Sequence, residues 1–136
     1  MRFETKIAVA LRDDLAPWQK LNVTAFTVSG IAGTDPDAIG EPYADAAGNA
    51  YLPMFRQPVM VFAGTAAQLR EAWGRAMAQG LRFALFTADL FATGHDAANR
   101  AAMGAVAPDA LAIVGLALRA DRKAVDKVMK GLALHP

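Results

Sequence analysis

A lysine, a carboxylate and several hydroxyl groups are spaced so that they could act on one substrate. Lys20, Thr24 and Thr27 recur at i, i+4 and i+7, which places them in a polar line on one helical face. Asp89 and Thr93 are also four residues apart and follow a short apolar run. A lysine ammonium can orient an oxyanion or polarise a carbonyl group, and a carboxylate can transfer the proton. If these side chains converge, they predict chemistry at a carbonyl group.

Each of these residues also has a plain structural explanation. A single lysine such as Lys20 is usually a solvated surface charge. Asp89 can end a turn, and Thr93 can cap the helical segment that contains Asp96. A functional site is therefore favoured by where the expected fold places these residues, not by their types.

Four short apolar runs predict the strands of a sheet. Runs of this length without polar alternation are typical of strands that are buried on both faces. The runs cover residues 7–11, 59–63, 83–86 and 111–118. From them we expect a core that contains Ile7, Val9, Val61, Leu85, Ile113 and Val114.

Helical patterns separate these runs. Pro17 suits a first helical position, and apolar residues then recur at helical spacing as far as Gly30. Thr65 and Gln68 have the spacing of a capping box, and residues 96–103 form a shorter helical candidate. Strands that alternate with helices require crossover connections. The sequence therefore predicts a three-layer α/β/α fold with a mixed, mostly parallel four-stranded sheet.

A length of 136 residues predicts a single domain over residues 1–136. Residues 33–58 do not follow the alternation of strand and helix and form an insertion. Tyr43 and Tyr51 flank turn chemistry at residues 47–49, so we expect this insertion to contain a hairpin. The insertion is either a connection between a helix and a strand or a functional loop, such as a lid or a dimer contact.

The expected fold gives the candidate site its position. In an open α/β sheet, ligands bind outside the carboxyl ends of the strands, where the loops to the helices begin. We expect a pocket there with Lys20, Asp89 and Thr93 as its catalytic residues. The residues expected to contact the substrate around them are Arg12, Asp14, Trp18, Thr24 and Phe91.

The residue inventory excludes several other chemistries. Cysteine is absent, which excludes disulfides, thiolate zinc sites and cysteine nucleophiles. Ser29 is the only serine and has no histidine near it in sequence, so a serine triad has little support. We interpret His95 and His135, the only histidines, as structural or surface residues rather than metal ligands. No glycine-rich phosphate-binding motif follows a strand, so we expect no cofactor and no metal.

Charge and hydropathy restrict the partners and the compartment. With 14 basic and 13 acidic side chains the net charge is +1, which argues against RNA as a partner. Lys123, Lys127 and Lys130 form one basic helical face, either solvated or in contact with phosphate. No apolar stretch approaches the roughly 20 residues of a membrane helix, and residues 1–6 do not resemble a signal peptide. We expect a cytoplasmic protein with no membrane partner.

Residues 6–15, 18–22, 40–43 and 51–54 carry a resemblance to a known family. Over nearly its full length the chain resembles this bacterial family of unknown function, DUF2000. That family in turn resembles peptidyl-tRNA hydrolase II. The resemblance therefore implies the fold of these hydrolases.

The hydrolase resemblance also implies roles for particular residues. The segment Arg12-Asp13-Asp14-Leu15 is similar to the Arg-x-Asp-Leu motif that ends the first strand of the hydrolases, and Lys20 falls at their essential lysine. Residues 89–93 reproduce their Asp-x-x-x-Thr motif. The chain departs from the hydrolases at residues 16–20, where Ala-Pro-Trp-Gln-Lys replaces a Gly-Lys-Gly-Lys type segment. It departs again at residues 90–92, where Leu-Phe-Ala replaces Ala-Gly-Arg. Both changes make the expected pocket more apolar and less suited to RNA.

These observations support three functional hypotheses. The first is a protein that binds a small molecule or peptide at a pocket around Lys20, Asp89 and Thr93, and is a hydrolase if it is an enzyme. The second is peptidyl-tRNA hydrolase activity, with the C-terminal basic face holding the acceptor stem. The third is a non-enzymatic oligomer, a homodimer, whose hairpin region forms the contact between subunits.

Overall fold

The computed structural model describes residues 2–136. The strands are β1 (Thr5–Arg12), β2 (Tyr43–Ala44), β3 (Ala50–Tyr51), β4 (Val59–Gly64), β5 (Ala84–Thr87), β6 (Ile113–Asp121) and β7 (Ala133–Leu134). The α-helices are α1 (Pro17–Thr34), α2 (Ala66–Ala78), α3 (Asp96–Gly104) and α4 (Arg122–Val128). Single 3₁₀ turns lie at Pro36–Ala38, Ala88–Ala92 and Pro108–Ala110. None of the described helices combines the length and the apolarity that a membrane span requires.

The main sheet has five strands in the order β5-β6-β1-β4-β7. Only β1 and β4 pair in parallel, whereas β6 is antiparallel to both β1 and β5, and β7 is antiparallel to β4. The prediction of a four-stranded, mostly parallel sheet was therefore wrong. A crossover was assumed for every helical connection, but the connection from β5 to β6 reverses the chain direction. The fifth strand, β7, has two residues and is too short to leave an apolar run in the sequence.

Helices cover both faces of the main sheet, as the long apolar runs predict. In β1, Ala8 and Ala10 face α2 and α4, whereas Ile7, Val9 and Leu11 face α1. All five of these residues are buried, which explains why β1 is apolar without alternation. The fold is a mixed α/β arrangement in three layers.

Most of the expected core residues are buried. Ile7, Val9, Ile113 and Val114 are each at most 5% exposed. Val61 and Leu85 are half-buried and pack against the two core clusters. Leu85 belongs to β5, at one edge of the sheet, and Val61 to β4, which only the two-residue β7 separates from the other edge. Positions near an edge lose part of the cover that a central strand receives.

Helix α1 begins at Pro17 as predicted, but it continues past Gly30 to Thr34. Gly30 remains helical where α1 crosses the start of β5, and a Cβ atom there would lie 3.4 Å from the Cβ of Ala84. Under the middle of α1, a Cβ on Gly115 would lie 2.4 Å from the Cγ1 of Val23. The missing side chain at Gly115 therefore allows α1 to approach β6 closely.

The hairpin predicted in the insertion is present as β2 and β3. Tyr43 pairs with Tyr51, and Gly48 adopts a φ of 84° in the turn between them. Asp45 organises this turn, because it accepts hydrogen bonds from the Asn49 backbone and side chain and from the Tyr51 hydroxyl, the last at 2.7 Å. The predicted capping box at Thr65 and Gln68, which starts α2, also forms.

Candidate functional site

The strands β1, β4 and β5 end at the same edge of the main sheet. β4 is parallel to β1, and β5 runs in the same direction because β6 is antiparallel to both β1 and β5. The backbone N–H of Asp13 donates to the carbonyl of Gly64 at 2.8 Å and ties the ends of β1 and β4 together. We call this the carboxyl edge of the sheet.

Arg12 and Asp14 lie at the carboxyl edge and form an ion pair with each other. The Nε of Arg12 donates to Oδ1 of Asp14 at 2.5 Å. Arg12 is half-buried and Asp14 is exposed. The two charges therefore neutralise each other, and no other ion pair of either side chain is seen in residues 2–136.

Lys20 contacts a histidine rather than the expected aspartate. Its Nζ lies 3.1 Å from Nε2 of His135, and both side chains are half-buried. Within the described part of the chain, Lys20 and Asp89 form no ion pair, and Asp89 is exposed in the 3₁₀ turn at Ala88–Ala92. β6 separates β1 from β5, so the two chain segments start about 10 Å apart across the sheet.

Thr24 lies one turn after Lys20 and does not reach towards a ligand. Its hydroxyl donates to the carbonyl of Lys20 at 2.8 Å. Thr27 is buried and donates in the same way to the carbonyl of Val23 at 2.8 Å. The polar line predicted along α1 therefore consists of one charged group and two hydroxyls that bond to their own helix.

Trp18 and Phe91 belong to an aromatic cluster on the other flank of α1. The Trp18 and Phe91 ring centroids are 5.8 Å apart in an edge-to-face arrangement. Phe86 lies 5.0 Å from Phe91 and 5.8 Å from Phe26, so four rings form a continuous row. This geometry is the one that aromatic pairs prefer.

A groove of about 420 Å³ runs along this aromatic row between α1 and α3. We call it the α1–α3 groove. Trp18, Phe26 and Phe91 supply apolar walls, and Asn22, Thr93 and Asn99 supply polar groups. The Thr93 hydroxyl contacts Oδ1 of Asn99 and the carbonyl of Leu90. The groove is therefore mainly aromatic, with a few amide and hydroxyl groups, of which Thr93 and Asn99 contact each other.

Comparison with known proteins assigns the chain to a family. A family model described as a protein of unknown function, DUF2000, matches residues 5–136. The chain belongs to the DUF2000 family. It is similar to a solved structure of a protein of unknown function, Atu0240, from Agrobacterium tumefaciens strain C58. The two are 52% identical with a TM-score of 0.97, over 99% of this chain and 100% of that chain. A search of the curated proteins found no match.

In this DUF2000 chain the eight predicted site residues fall into separate groups. Trp18, Phe91 and Thr93 line the α1–α3 groove, whereas Lys20 and Thr24 lie on the other flank of α1. Arg12 and Asp14 pair with each other, and Asp89 is exposed to solvent. The structure thus brings three of them together and does not bring Lys20, Asp89 and Thr93 into contact.

His135 and Asn99 are two of the residues that sequence reasoning missed, and Asn22, Phe26 and Phe86 of the groove are others. His135 follows β7, whose two residues carry no strand pattern, so nothing in the sequence showed that the tail returns to the sheet. Asn99 is six residues after Thr93, and only the turn before α3 brings the two together. The other histidine, His95, has the structural role expected for it, since its Nδ1 accepts from the N–H of Ala98 at the start of α3.

The basic residues of α4 and the potential metal ligands do not add to this site. Lys123 and Lys127 are exposed on α4, which packs with α2 on the face of the sheet opposite α1. Among residues 2–136, no three His, Cys, Asp or Glu side chains are grouped so that they could hold a metal ion.

Proposed function

We propose that this DUF2000 protein binds a small molecule or a short peptide that carries an aromatic or aliphatic group in the α1–α3 groove. The exposure of its aromatic walls is the observation that carries the proposal. Trp18 is 60% exposed and Phe26 is 53% exposed, although both rings contact other rings of the groove. Neighbouring apolar groups left open to water commonly mark a binding surface.

The polar groups of the groove indicate an uncharged ligand. Thr93, Asn22 and Asn99 offer hydroxyl and amide groups, which can orient a peptide unit or another neutral polar group. The one carboxylate that lines the groove, Asp96, forms an i, i+4 ion pair with Arg100 of the same helix. Their charges balance, so the groove favours neither an anion nor a cation.

Titration with N-acetyl-phenylalanine amide tests this function, because the probe joins an aromatic ring to two neutral peptide units. We expect amide shifts in a ¹H–¹⁵N spectrum at residues of α1 and α3. Removal of the Trp18 ring in Trp18→Ala should weaken binding about tenfold, as expected for the loss of one aromatic contact.

Leu21→Ala is the matched control for this titration. Leu21 is 73% exposed on the same helix and does not line the groove, so its truncation should leave affinity unchanged. Equal losses of affinity in Trp18→Ala and Leu21→Ala would contradict groove binding. Shifts that map outside α1 and α3 would contradict it as well.

Hydrolysis of a small acyl compound is the second candidate function, and the resemblance to peptidyl-tRNA hydrolase II supports it. In that resemblance Lys20 falls at the essential lysine of the hydrolases, and it lies in α1, the helix that follows β1. The lysines of α4 lie across the sheet from Lys20, so a phosphate backbone held by them would not pass it. We therefore propose a small ester or amide substrate rather than peptidyl-tRNA.

Assays with p-nitrophenyl acetate and with peptidyl-tRNA show which of the two substrate classes the protein hydrolyses. We expect the wild-type protein to hydrolyse the ester and Lys20→Ala to lose that activity. Peptidyl-tRNA should be cleaved no faster than in the absence of protein. Ester turnover that Lys20→Ala leaves unchanged would rule Lys20 out as a catalytic residue.

Contact with a second copy of the chain is a third candidate function, and the hairpin segment supports it. Leu52 is 84% exposed, Met54 is 58% exposed, and Tyr43 and Tyr51 are about half exposed beside them. We expect light scattering to give twice the 14.4 kDa chain mass for the wild type and the chain mass for Leu52→Glu. Met77 is also an exposed methionine, but it lies on α2, away from the hairpin in sequence. Met77→Glu should therefore not change the mass.

A further inference from the structure

We propose that the protein binds an organic phosphate monoester at the edge of the main sheet opposite the carboxyl edge. β1 and β4 begin at this edge and β6 ends there, and we call it the amino edge. A cavity of about 350 Å³ lies at the amino edge, and we call it the amino-edge cavity. It shares no residue with the α1–α3 groove, so the proposal is independent of ligand binding there.

The amino-edge cavity is lined by three cationic side chains, Arg2, Lys6 and Arg122, and by no carboxylate. One of the three charges is balanced from outside the cavity, because Lys6 pairs with Asp126 at 2.5 Å and Asp126 does not line the cavity. Within residues 2–136, neither Arg2 nor Arg122 forms an ion pair. The cavity therefore has a surplus of two positive charges, although the net charge of the whole chain is only +1.

This surplus matches a phosphate monoester better than a carboxylate. A phosphate monoester carries a charge of about −1.5 to −2 near neutral pH and offers three strong acceptor oxygens. The planar guanidinium group donates in a fork that fits these oxygens. A carboxylate would bring only one negative charge and would leave one arginine without a counter-ion.

Arg122 is positioned without being neutralised. Its Nη1 donates to the carbonyl of Phe3 at 3.3 Å, and its backbone N–H donates to the carbonyl of Glu4 at 3.0 Å. A carbonyl group has no net charge, and the bond to Phe3 uses only one of the five N–H donors of the guanidinium. The half-buried Arg122 side chain is therefore held at the cavity with its positive charge still to be compensated.

The floor of the cavity is held together by hydrogen bonds between β1 and the segment before β4. The Gln57 side chain is buried and donates to the carbonyl of Thr5 at 3.0 Å. Its Oε1 accepts from Nε of Arg119 at 3.0 Å. Gln57 and Thr5 both line the cavity, so its shape is set by the start of the sheet before any ligand binds.

Apolar side chains form the remaining wall, which suits the organic part of a monoester. Phe3, Pro58 and Met60 line the cavity. The Phe3 ring is half-buried, and the guanidinium carbon of Arg56 lies 5.7 Å from its centroid. Inorganic phosphate would leave this wall uncovered, whereas an aromatic or aliphatic group attached to the phosphate would cover it.

A neighbouring cavity shows the contrast in charge. It shares Arg122 with the amino-edge cavity, but Glu4, Asp121 and Lys123 line it as well. The two carboxylates there oppose an anion. Lys123 therefore serves as a control, because it follows Arg122 directly, carries the same charge and does not line the amino-edge cavity.

Titration with phenyl phosphate near pH 7.5, followed in ¹H–¹⁵N spectra, tests the proposal. We expect amide shifts at residues 3–7, 57–60 and 122. Inorganic phosphate, which lacks the ring, and benzenesulfonate, which has the ring but one charge, should each bind about tenfold more weakly. Equal affinity for either of these anions would overturn the assignment to an organic phosphate monoester. Tighter binding of a short RNA duplex, whose internal phosphates are diesters, would overturn it as well.

Arg122→Gln removes one of the two uncompensated charges, and we expect it to weaken phenyl phosphate binding about tenfold. Arg2→Gln removes the other and should weaken binding about threefold. Arg2 is exposed and precedes β1, so this variant tests the proposal even if Arg122→Gln fails to fold. Lys123→Gln should leave the affinity unchanged. Equal losses in Arg2→Gln and Lys123→Gln would show general attraction to a basic surface and overturn the proposal, as would an Arg2→Gln protein with wild-type affinity.

Discussion

Trp18 and Lys20 are two residues apart at the start of α1 and reach towards opposite outer strands of the main sheet. The Trp18 ring meets Phe91, which follows β5, whereas Nζ of Lys20 meets His135, which follows β7. Residues at i and i+2 are separated by about 200° around an α-helix. A single pocket that contains both side chains is therefore excluded by helix geometry, and the carboxyl edge has two distinct regions.

The packing of the C-terminal segment that contains β7 against β4 gives a first prediction. A Cβ on Gly64 would lie 2.3 Å from Cδ2 of Leu132 and 2.7 Å from Oε1 of Gln68, so Gly64→Ala should displace the tail. We expect a loss of about 1–3 kcal/mol in the free energy of unfolding, as for other overpacked sites. Urea denaturation measures this loss, and faster amide exchange at His135 would locate it in the tail.

Gly74→Ala is the control for this substitution. Gly74 lies in α2, and a Cβ there would meet no other atom within 4 Å. A helical glycine with open space for a Cβ should stabilise the protein by about 0.5–1 kcal/mol when it becomes alanine. A Gly64→Ala protein that is as stable as the wild type would show that Leu132 and Gln68 move aside without cost.

The buried side chain of Arg119 gives a second prediction. The side chain is 8% exposed, and its guanidinium reaches Asp37 at 3.1 Å, Asp35 at 3.7 Å and Oε1 of Gln57 at 3.0 Å. Arg119→Met keeps most of the volume but leaves Gln57 and the two carboxylates without this donor. We expect a loss of about 2 kcal/mol in the free energy of unfolding, measured in urea.

Arg100→Met provides the comparison for Arg119. Arg100 pairs with Asp96 on the exposed face of α3, where an i, i+4 ion pair contributes only about 0.3–0.5 kcal/mol. If both variants lose the same small amount, the Arg119 network contributes no more than a surface ion pair.

Much of the fold could be predicted from the sequence because β1 and β6 are central strands. Their runs are apolar on both faces, and Ile7, Val9 and Val114 are completely buried. The strand direction could not be predicted, because apolar runs give burial and not orientation. The connection between β5 and β6 contains a helix, α3, but α3 packs beside the 3₁₀ turn at Ala88–Ala92 instead of crossing the sheet.

Less of the candidate site could be predicted, for a related reason. Spacing along one helix predicted Lys20 and Thr24 on one flank of α1, where a hydrogen bond joins the Thr24 hydroxyl to the Lys20 carbonyl. The end of β5 predicted Phe91 and Thr93 as site residues, and both line the α1–α3 groove. Contacts between elements that are distant in sequence depend on the order of the strands in the sheet, and the apolar runs of the sequence do not predict that order. His135 is 115 residues from Lys20 and reaches it only because β7 adds to the outer side of β4.

Burial of a charge in β6 gives a third prediction. Val114 is completely buried against α1, so Val114→Asp would place an unpaired carboxylate in the core. We expect a loss of several kcal/mol, enough to unfold a domain of ordinary stability. Ala112→Asp, at an exposed position two residues earlier, should fold normally. Circular dichroism distinguishes the two, and a Val114→Asp protein that melts like the wild type would contradict the placement of β6.

The hairpin gives the last prediction, which concerns pH. Hydrogen bonds from Tyr51, and then from Asn49, lower the pKa of Asp45 from 3.8 to about 2. A lowered pKa in the folded state means that this contribution is present above pH 3.8 and is lost as the pH falls towards 2. The same bond to Asp45 raises the pKa of Tyr51 above 10.0, so the contribution is full below pH 10.0 and is lost as the pH rises through the raised pKa. We expect an NMR titration of the Asp45 carboxyl to give a midpoint near 2.

Tyr51→Phe and Tyr43→Phe form a matched pair for this titration. The first removes the hydroxyl that donates to Asp45, and we expect the pKa of Asp45 to rise back towards 3.8. The second changes the tyrosine across the hairpin and keeps the contacts of Asp45, so the midpoint should not move. The chemical shifts of Asn49 should follow the Asp45 titration, because its backbone and side chain both donate to that carboxylate. A midpoint near 3.8 in the wild type would show that the hairpin does not hold Asp45 in solution.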